Sequence, residues 1–161
     1  MLTPTLRAFR ASDLDALYQL DQVCFEPGVA YSRAELAAYI RRPDTETWVA
    51  QAGAGTGREL AGFVVASCDR RGHGHIITLD VAPAWRRRAL GSLLMDAAEN
   101  WVLRQGGEGI YLEAAEANLG AQAFYLRRGY QKARRVEDYY GAGAAAWLMA
   151  KQLRPTAATD H

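Results

Sequence analysis

The sequence predicts one α/β domain built on a mixed sheet, and three observations point there. Short apolar runs, of strand length, alternate along the chain with amphipathic runs spaced for helices. The run His75-Ile76-Ile77-Thr78-Leu79-Asp80-Val81-Ala82 passes through Pro83 and Arg86-Arg87-Arg88-Ala89-Leu90-Gly91-Ser92 into a long amphipathic segment. Its apolar residues, Leu90, Leu93, Leu94, Ala97, Ala98, Trp101 and Val102, recur at the i, i+3, i+4, i+7 spacing of one helix face. That unit is strand, turn, helix. Two further strand-like runs, Trp48 to Gln51 and Leu60 to Ser67, follow one another with no helix between them, as a hairpin does.

At 161 residues the chain suits a single core, expected here over residues 1–154, with 155–161 as a disordered tail. Half the residues are hydrophobic and 23% charged, an ordinary enzyme-like balance. A formal charge of +1 argues against general binding of nucleic acid. The basic residues cluster locally instead, at Arg86 to Arg88, Arg127-Arg128 and Lys132 to Arg135. Cys24 and Cys68 are too few for a disulfide framework, which suits a reducing, cytoplasmic setting. Met1-Leu2-Thr3-Pro4 lacks the regions of a signal peptide, and no apolar run reaches membrane-spanning length.

In order, Leu6 to Arg10 reads as a first strand. Ser12 or Asp13 caps a helix with Leu14, Leu17, Tyr18, Leu20 and Val23 inward, and Pro27-Gly28 ends it. Ser32 with Glu35 is a capping-box signature for a second helix to about Arg41, stopped by Pro43. Gly53-Ala54-Gly55-Thr56-Gly57 looks like a phosphate loop, but no helix follows, so it reads as the hairpin's turn. In the strand before the arginine turn, Ile77, Leu79 and Val81 fall on one face, and Thr78 and Asp80 on the other. Gly106, Gly107 and Gly109 stop the long helix. Ile110 to Ala115 is a strand. Asn118 opens a last helix that ends at Arg127-Arg128-Gly129. Tyr130 to Val136 and Ala146 to Leu153 close the sheet, joined through Tyr139-Tyr140-Gly141.

The chemistry begins at the arginine turn. A helix N-terminus presents free N–H groups and the positive end of its dipole, and an anion with several oxygens sits well there. Three arginines at that end oppose the dipole, which favours an anion site over a merely solvated basic face. His73 and His75 invite a metal reading, but with no acidic or cysteine cluster beside them the ordinary structural reading is stronger, and no metal is expected.

The arginine turn resembles the acetyl-coenzyme A loop of the GCN5-related N-acetyltransferases (GNAT), whose pattern is Gln/Arg-x-x-Gly-x-Gly/Ala. Arg86 and Gly91 match it, while Ala89 stands where the first glycine is usual. An alanine is tolerable there if φ is negative. Downstream, Ile110-Tyr111-Leu112-Glu113 and Asn118 to Tyr130 resemble Leu-Glu-Val-Arg-x-x-Asn-x-x-Ala-x-x-Leu-Tyr-x-x-x-Gly-Phe, found in N-terminal protein acetyltransferases, above all the ribosomal-protein alanine group. Cys24-Phe25, Tyr31-Ser32, Gly74-His75-Ile76 and Tyr139-Tyr140-Gly141 look like that group too.

The resemblance implies a GNAT fold: a mixed central sheet with about four helices, and the cofactor in a cleft between the two central strands. It implies transfer of acetyl from acetyl-CoA to a protein N-terminus. It implies cofactor contacts from Leu79, Asp80, Val81, Arg86, Arg87, Arg88, Ala89, Leu90, Gly91, Ser92 and Asn118. A backbone N–H in Leu79-Asp80-Val81, where the strand would bulge, would hold the thioester oxygen. Glu113 would be the base and Tyr125 the acid. By residues alone, Glu113 is equally a solvent-facing strand residue, and Tyr125 a core aromatic beside Phe124. Asn118 is also a plain N-cap, which is compatible with touching the cofactor. Tyr31, Tyr139, Tyr140 and Glu26 would line the substrate slot; turn aromatics over a sheet are as common. Two departures weaken a protein substrate: Ala114-Ala115 replaces Val-Arg, and Ala142 to Ala146 replaces a Gly-Glu-Asp-Ala run. Small-molecule amines and lysine side chains therefore stay open as acceptors. The expected partner is a peptide or ribosomal-protein N-terminus, with no nucleic acid and no membrane, on a monomer or weak homodimer.

Overall fold

The computed structural model describes residues 3–53 and 58–154. The expected tail, and residues 54–57 of the glycine-rich turn, lie outside them. Seven strands form one sheet in the order β1-β2-β3-β4-β5-β7-β6: β1 (Thr5–Ala8), β2 (Thr45–Ala52), β3 (Glu59–Cys68), β4 (His73–Val81), β5 (Gly109–Ala115), β6 (Gln131–Val136) and β7 (Ala146–Gln152). Four α-helices flank it: α1 (Leu14–Cys24), α2 (Arg33–Arg41), α3 (Leu90–Arg104) and α4 (Leu119–Arg127). All neighbouring strands run antiparallel except β4 and β5, which are parallel. A parallel neighbour needs a crossover, and α3 supplies it.

The period of two along the strands sorts side chains into two cores. Phe63 and Val65 of β3 face α1 and α2, meeting Leu14, Leu17, Leu20 and Leu36. Val64 and Ala66 face α3, meeting Leu90, Leu94, Met95, Ala98 and Val102. Leu94, Met95 and Val102 are wholly buried, and each such side chain contributes about 1.5–3 kcal/mol of transfer free energy. Gly74 of β4 lets α3 approach closely, since a Cβ there would sit 2.8 Å from both Val102 methyls.

Helix ends follow local chemistry. Ser32 Oγ accepts from Glu35 N at 3.1 Å, and Glu35 Oε1 accepts from Ser32 N at 3.2 Å, so the capping box forms. Asp13 makes no cap bond of its own to α1. Its carboxylate is taken by the Arg7 guanidinium and the Arg10 N–H instead. The Arg7 guanidinium above all, with the Arg10 N–H adding to it, holds the Asp13 carboxyl below its usual range against the opposing effect of burial. Gly129 has φ 94° at the end of α4, as the left-handed cap requires.

Two sequence expectations fail here. Val23 does not point inward; it is 63% exposed, because the buried face of α1 runs through Leu14, Leu17, Leu20 and Asp21. The bulge in β4 is not at Leu79-Asp80-Val81. Val65 pairs with Thr78 and Ala66 with Ile76, so Ile77 is the extra residue. One extra residue shifts the alternation. Ile77 therefore joins the α1–α2 core, while Leu79 and Val81 pack with the α3 core.

Candidate active site

β4 and β5 share only the pairs His73–Gly109, Gly74–Ile110 and His75–Tyr111. Beyond them the strands part, and a cleft of about 1110 Å³ opens between Ile76 to Leu79 and Val81 on one side and Leu112 to Ala115 on the other. That is slightly above the ~300–1,000 Å³ typical of small-molecule sites.

One end of the cleft is the N-terminus of α3. Arg86, Arg87, Ala89, Leu90, Gly91 and Ser92 line it, with Asn118 and Arg127 opposite. Leu90, Gly91 and Ser92 occupy the first helical turn, whose N–H groups have no intrahelical acceptor. Ala89 is the helix N-cap with φ 63°, so the negative φ allowed for it is not what the backbone adopts. Arg87, φ 61°, shares the left-handed region. Such a turn curls successive N–H groups toward one point, as in anion-binding nests. The three arginines separate in role. Arg86 Nε donates to Val81 O at 3.1 Å and ties the turn to β4. The Arg88 guanidinium lies 5.1 Å from the Trp85 ring centre and is not part of the cleft wall. Gly91 is needed for a helix contact as well, since a Cβ there would meet Phe124 Cζ at 3.2 Å. Asn118 Oδ1 accepts from Ala121 N at 3.1 Å, so it caps α4 while facing the cleft.

At the fork of the strands lies Glu113. Its Oε2 is 2.7 Å from His75 Nε2, the side chains being only 14% and 21% exposed. His75 stacks flat on Tyr111, ring centres 4.3 Å apart. Four phenols feel the Glu113 charge: Tyr31, Tyr111, Tyr139 and Tyr140, each pushed up mainly by burial and further by that carboxylate. Tyr140 is pushed up to about 12. Tyr139 and Tyr140 meet edge to face at 4.7 Å. Tyr31, Tyr39, Tyr139 and Tyr140 all line this end, opposite Phe25. Tyr125 lines the cleft between its two ends, and burial raises its phenol well above the usual range.

The expected residues thus divide. Glu113, Tyr125, Leu79, Val81, Arg86, Arg87, Ala89, Leu90, Gly91, Ser92, Asn118, Tyr31, Tyr139 and Tyr140 share one cleft. Arg88, Asp80 and Glu26 are not on its wall. Glu26 is exposed beyond the end of α1, and the Asp80 side chain is wholly buried behind β4. His75 was not singled out for catalysis from sequence. Alternation along each strand turns both side chains outward, but only the β4–β5 pairing brings them together. Among the described residues no group of three or more His, Cys, Asp or Glu could hold a metal ion, and no helix is long and apolar enough to cross a membrane.

The fold agrees with what known proteins show. A sequence profile for the acetyltransferase (GNAT) family matches residues 14–130. An uncharacterised N-acetyltransferase of Methanocaldococcus jannaschii is 30% identical over 148 residues, 91% of this chain and 90% of the relative. An N-alpha-acetyltransferase of Saccharolobus solfataricus is 31% identical over 81 residues, about half of each protein (50% and 48%). Among solved structures, the ribosomal-protein-S18-alanine N-acetyltransferase of Escherichia coli superposes with a TM-score of 0.82 over 99% of both chains, at 19% identity. The seven-stranded mixed sheet and the four helices are those of the family's solved structures, and this chain belongs to the GNAT family of acetyl-CoA-dependent N-acetyltransferases.

Proposed function

We propose that this chain acetylates the α-amine of a peptide or protein N-terminus, of the ribosomal-protein alanine type. The observation that carries this reading is the Glu113–His75 pair at the strand fork, under a lip of tyrosines. The acidic residues lining the cleft are Glu113 and Glu35, and Glu35 is engaged in capping α2. A polyamine or aminoglycoside would call for several carboxylates. A single carboxylate beneath aromatic walls suits one amine followed by a peptide backbone.

Acetyl-CoA supplies the activated acyl group; the α3 N-terminus, Arg87 and Asn118 would hold its phosphates and pantetheine arm. The residues of the chain do the rest. Glu113, oriented by the His75 N–H, accepts the proton of the incoming ammonium group. A peptide α-amine titrates near ~8, against ~10.4 for lysine, so one carboxylate at this site serves an α-amine better. Tyr125, held protonated by burial, gives a proton to the departing sulfur. A backbone N–H in Leu79 to Val81 would hold the thioester oxygen, where a fixed donor is most effective.

The test is a peptide library with free N-termini, matched N-terminally blocked peptides that keep a lysine, and a panel of polyamines and aminoglycosides. Mass spectrometry should find acetyl on the free N-termini alone. Equal rates on blocked peptides, or preference for a small amine, would reject the reading.

A further inference from the structure

Behind β4, out of reach of the cleft, two carboxyl groups are sealed inside the protein. Asp21 of α1 and Asp80 of β4 both have no exposed surface. Thr78 Oγ1 lies between them, 2.6 Å from Asp80 Oδ1 and 3.4 Å from Asp21 Oδ1. A hydroxyl has one proton and can donate to only one of the two. Asp80 Oδ2 is buried with no hydrogen-bond partner among the described residues, which an ionised carboxylate tolerates badly. A proton on Asp80 resolves both difficulties. Burial first, then the hydrogen bond and charge of Asp21, push the Asp80 carboxyl well above its usual range, as expected where two acids share a dry site. The other charged and titratable groups around the pair are Cys24, Arg86 and Tyr125.

Such a pair is costly to bury, and apolar side chains would fill the space at no loss of stability. What it adds is an acceptor at a fixed place. Asp21 Oδ2 accepts from the backbone N–H of Tyr31 at 2.8 Å. Tyr31 is held at two more points: its carbonyl accepts from Gln22 Nε2 at 2.7 Å, and its hydroxyl donates to Ile77 O at 3.2 Å. Ile77 is the bulge residue of β4. Tyr31 meets Tyr39 edge to face at 5.2 Å, and both rings line the end of the cleft that holds Glu113.

We propose that Asp21, held in place by Thr78 and Asp80, is a positioning residue that sets the amine-side lip of the cleft through the Tyr31 backbone. It touches neither substrate. It fixes where the α1–α2 connection sits over the β4 bulge, and so how an amine is guided to Glu113. The inference rests on the reading that the amine enters beneath Tyr31.

The test is steady-state kinetics of Asp21→Ala, Thr78→Val, Asp80→Ala and Asp80→Asn, with the Michaelis constants for acceptor and acetyl-CoA measured separately. Loss of a hydrogen bond to a charged group is worth about tenfold. Asp21→Ala, Thr78→Val and Asp80→Ala should each raise the acceptor KM about tenfold, and leave the acetyl-CoA KM unchanged. Asp80→Asn keeps the shape of a neutral acid and should recover most of the acceptor KM lost in Asp80→Ala. Thr78 itself lies on the cleft wall, so if Asp21→Ala does not fold, the loss in Asp80→Ala and its recovery in Asp80→Asn decide the matter. Both KM values rising together, or a lower melting temperature with both KM values intact, would overturn the proposal. The acceptor is whichever amine the panel selects, so a failure of the peptide reading leaves this split readable.

Discussion

On the proposed mechanism Glu113 and Tyr125 serve two ends of one proton route, and their surroundings then set how the rate should vary with pH. Tyr125 is pushed up by burial, so its phenol stays protonated well past the ~10 of a free tyrosine. It should impose no falling limb on the rate below that pH. The rising limb then follows the free amine. We expect Glu113→Gln to lose about 10²-fold in rate at pH 7, and to regain part of it at pH 9, where free amine is plentiful. Tyr125→Phe should lower the maximal rate at both pH values with acetyl-CoA affinity little changed. Rate against pH for wild type and both variants checks this; a Glu113→Gln enzyme at full rate at pH 7 would remove Glu113 from the role of base. At this scale much was legible. The strand alternation turned Glu113 away from the core, and the family resemblance pointed to Tyr125, which the structure puts on the same cleft wall. The His75 contact was not legible, because two residues 38 apart in sequence meet only through the β4–β5 pairing.

The α3 N-terminus was the most readable element, since its apolar spacing and its basic turn both announce themselves in sequence. Its backbone did not. Ala89 at φ 63° carries a Cβ where an L residue costs roughly 1–2 kcal/mol. Ala89→Gly should relieve that strain, offset in part by glycine's greater freedom in the unfolded chain. The expected result is a melting temperature equal to or slightly above wild type, and acetyl-CoA affinity equal or up to about fivefold tighter. Gly91→Pro removes one first-turn N–H and crowds Phe124, so it should weaken the same affinity severely while rate at saturation falls less. Calorimetry on both variants checks the pair; unchanged affinity in Gly91→Pro would sink the phosphate assignment. The β4 bulge is the counterexample. Nothing in Ile76-Ile77-Thr78 marks which residue is left unpaired, because pairing is decided by β3, and the face of Ile77 was misread accordingly.

For the whole molecule, the mixed sheet, the crossover helix and the single core on each face follow from the order of apolar runs. The parting of β4 and β5 does not, since it depends on how two strands twist against different neighbours. That parting has a mechanical meaning. Strands β1 to β4 come from residues 5–81 and the others from 109–152, so the fold is two consecutive pieces of chain. They are stitched by one short ladder and by α3. Without ligand, the later piece should exchange its backbone amides as a unit distinct from the earlier one. A long ligand that touches both walls would act as a strap across the gap. Hydrogen exchange should then show β5, β6 and β7 slowing together with β3 and β4 on adding acetyl-CoA, as though two loosely coupled plates had been bolted into one; protection confined to the α3 turn would show that the plates were rigidly joined from the start.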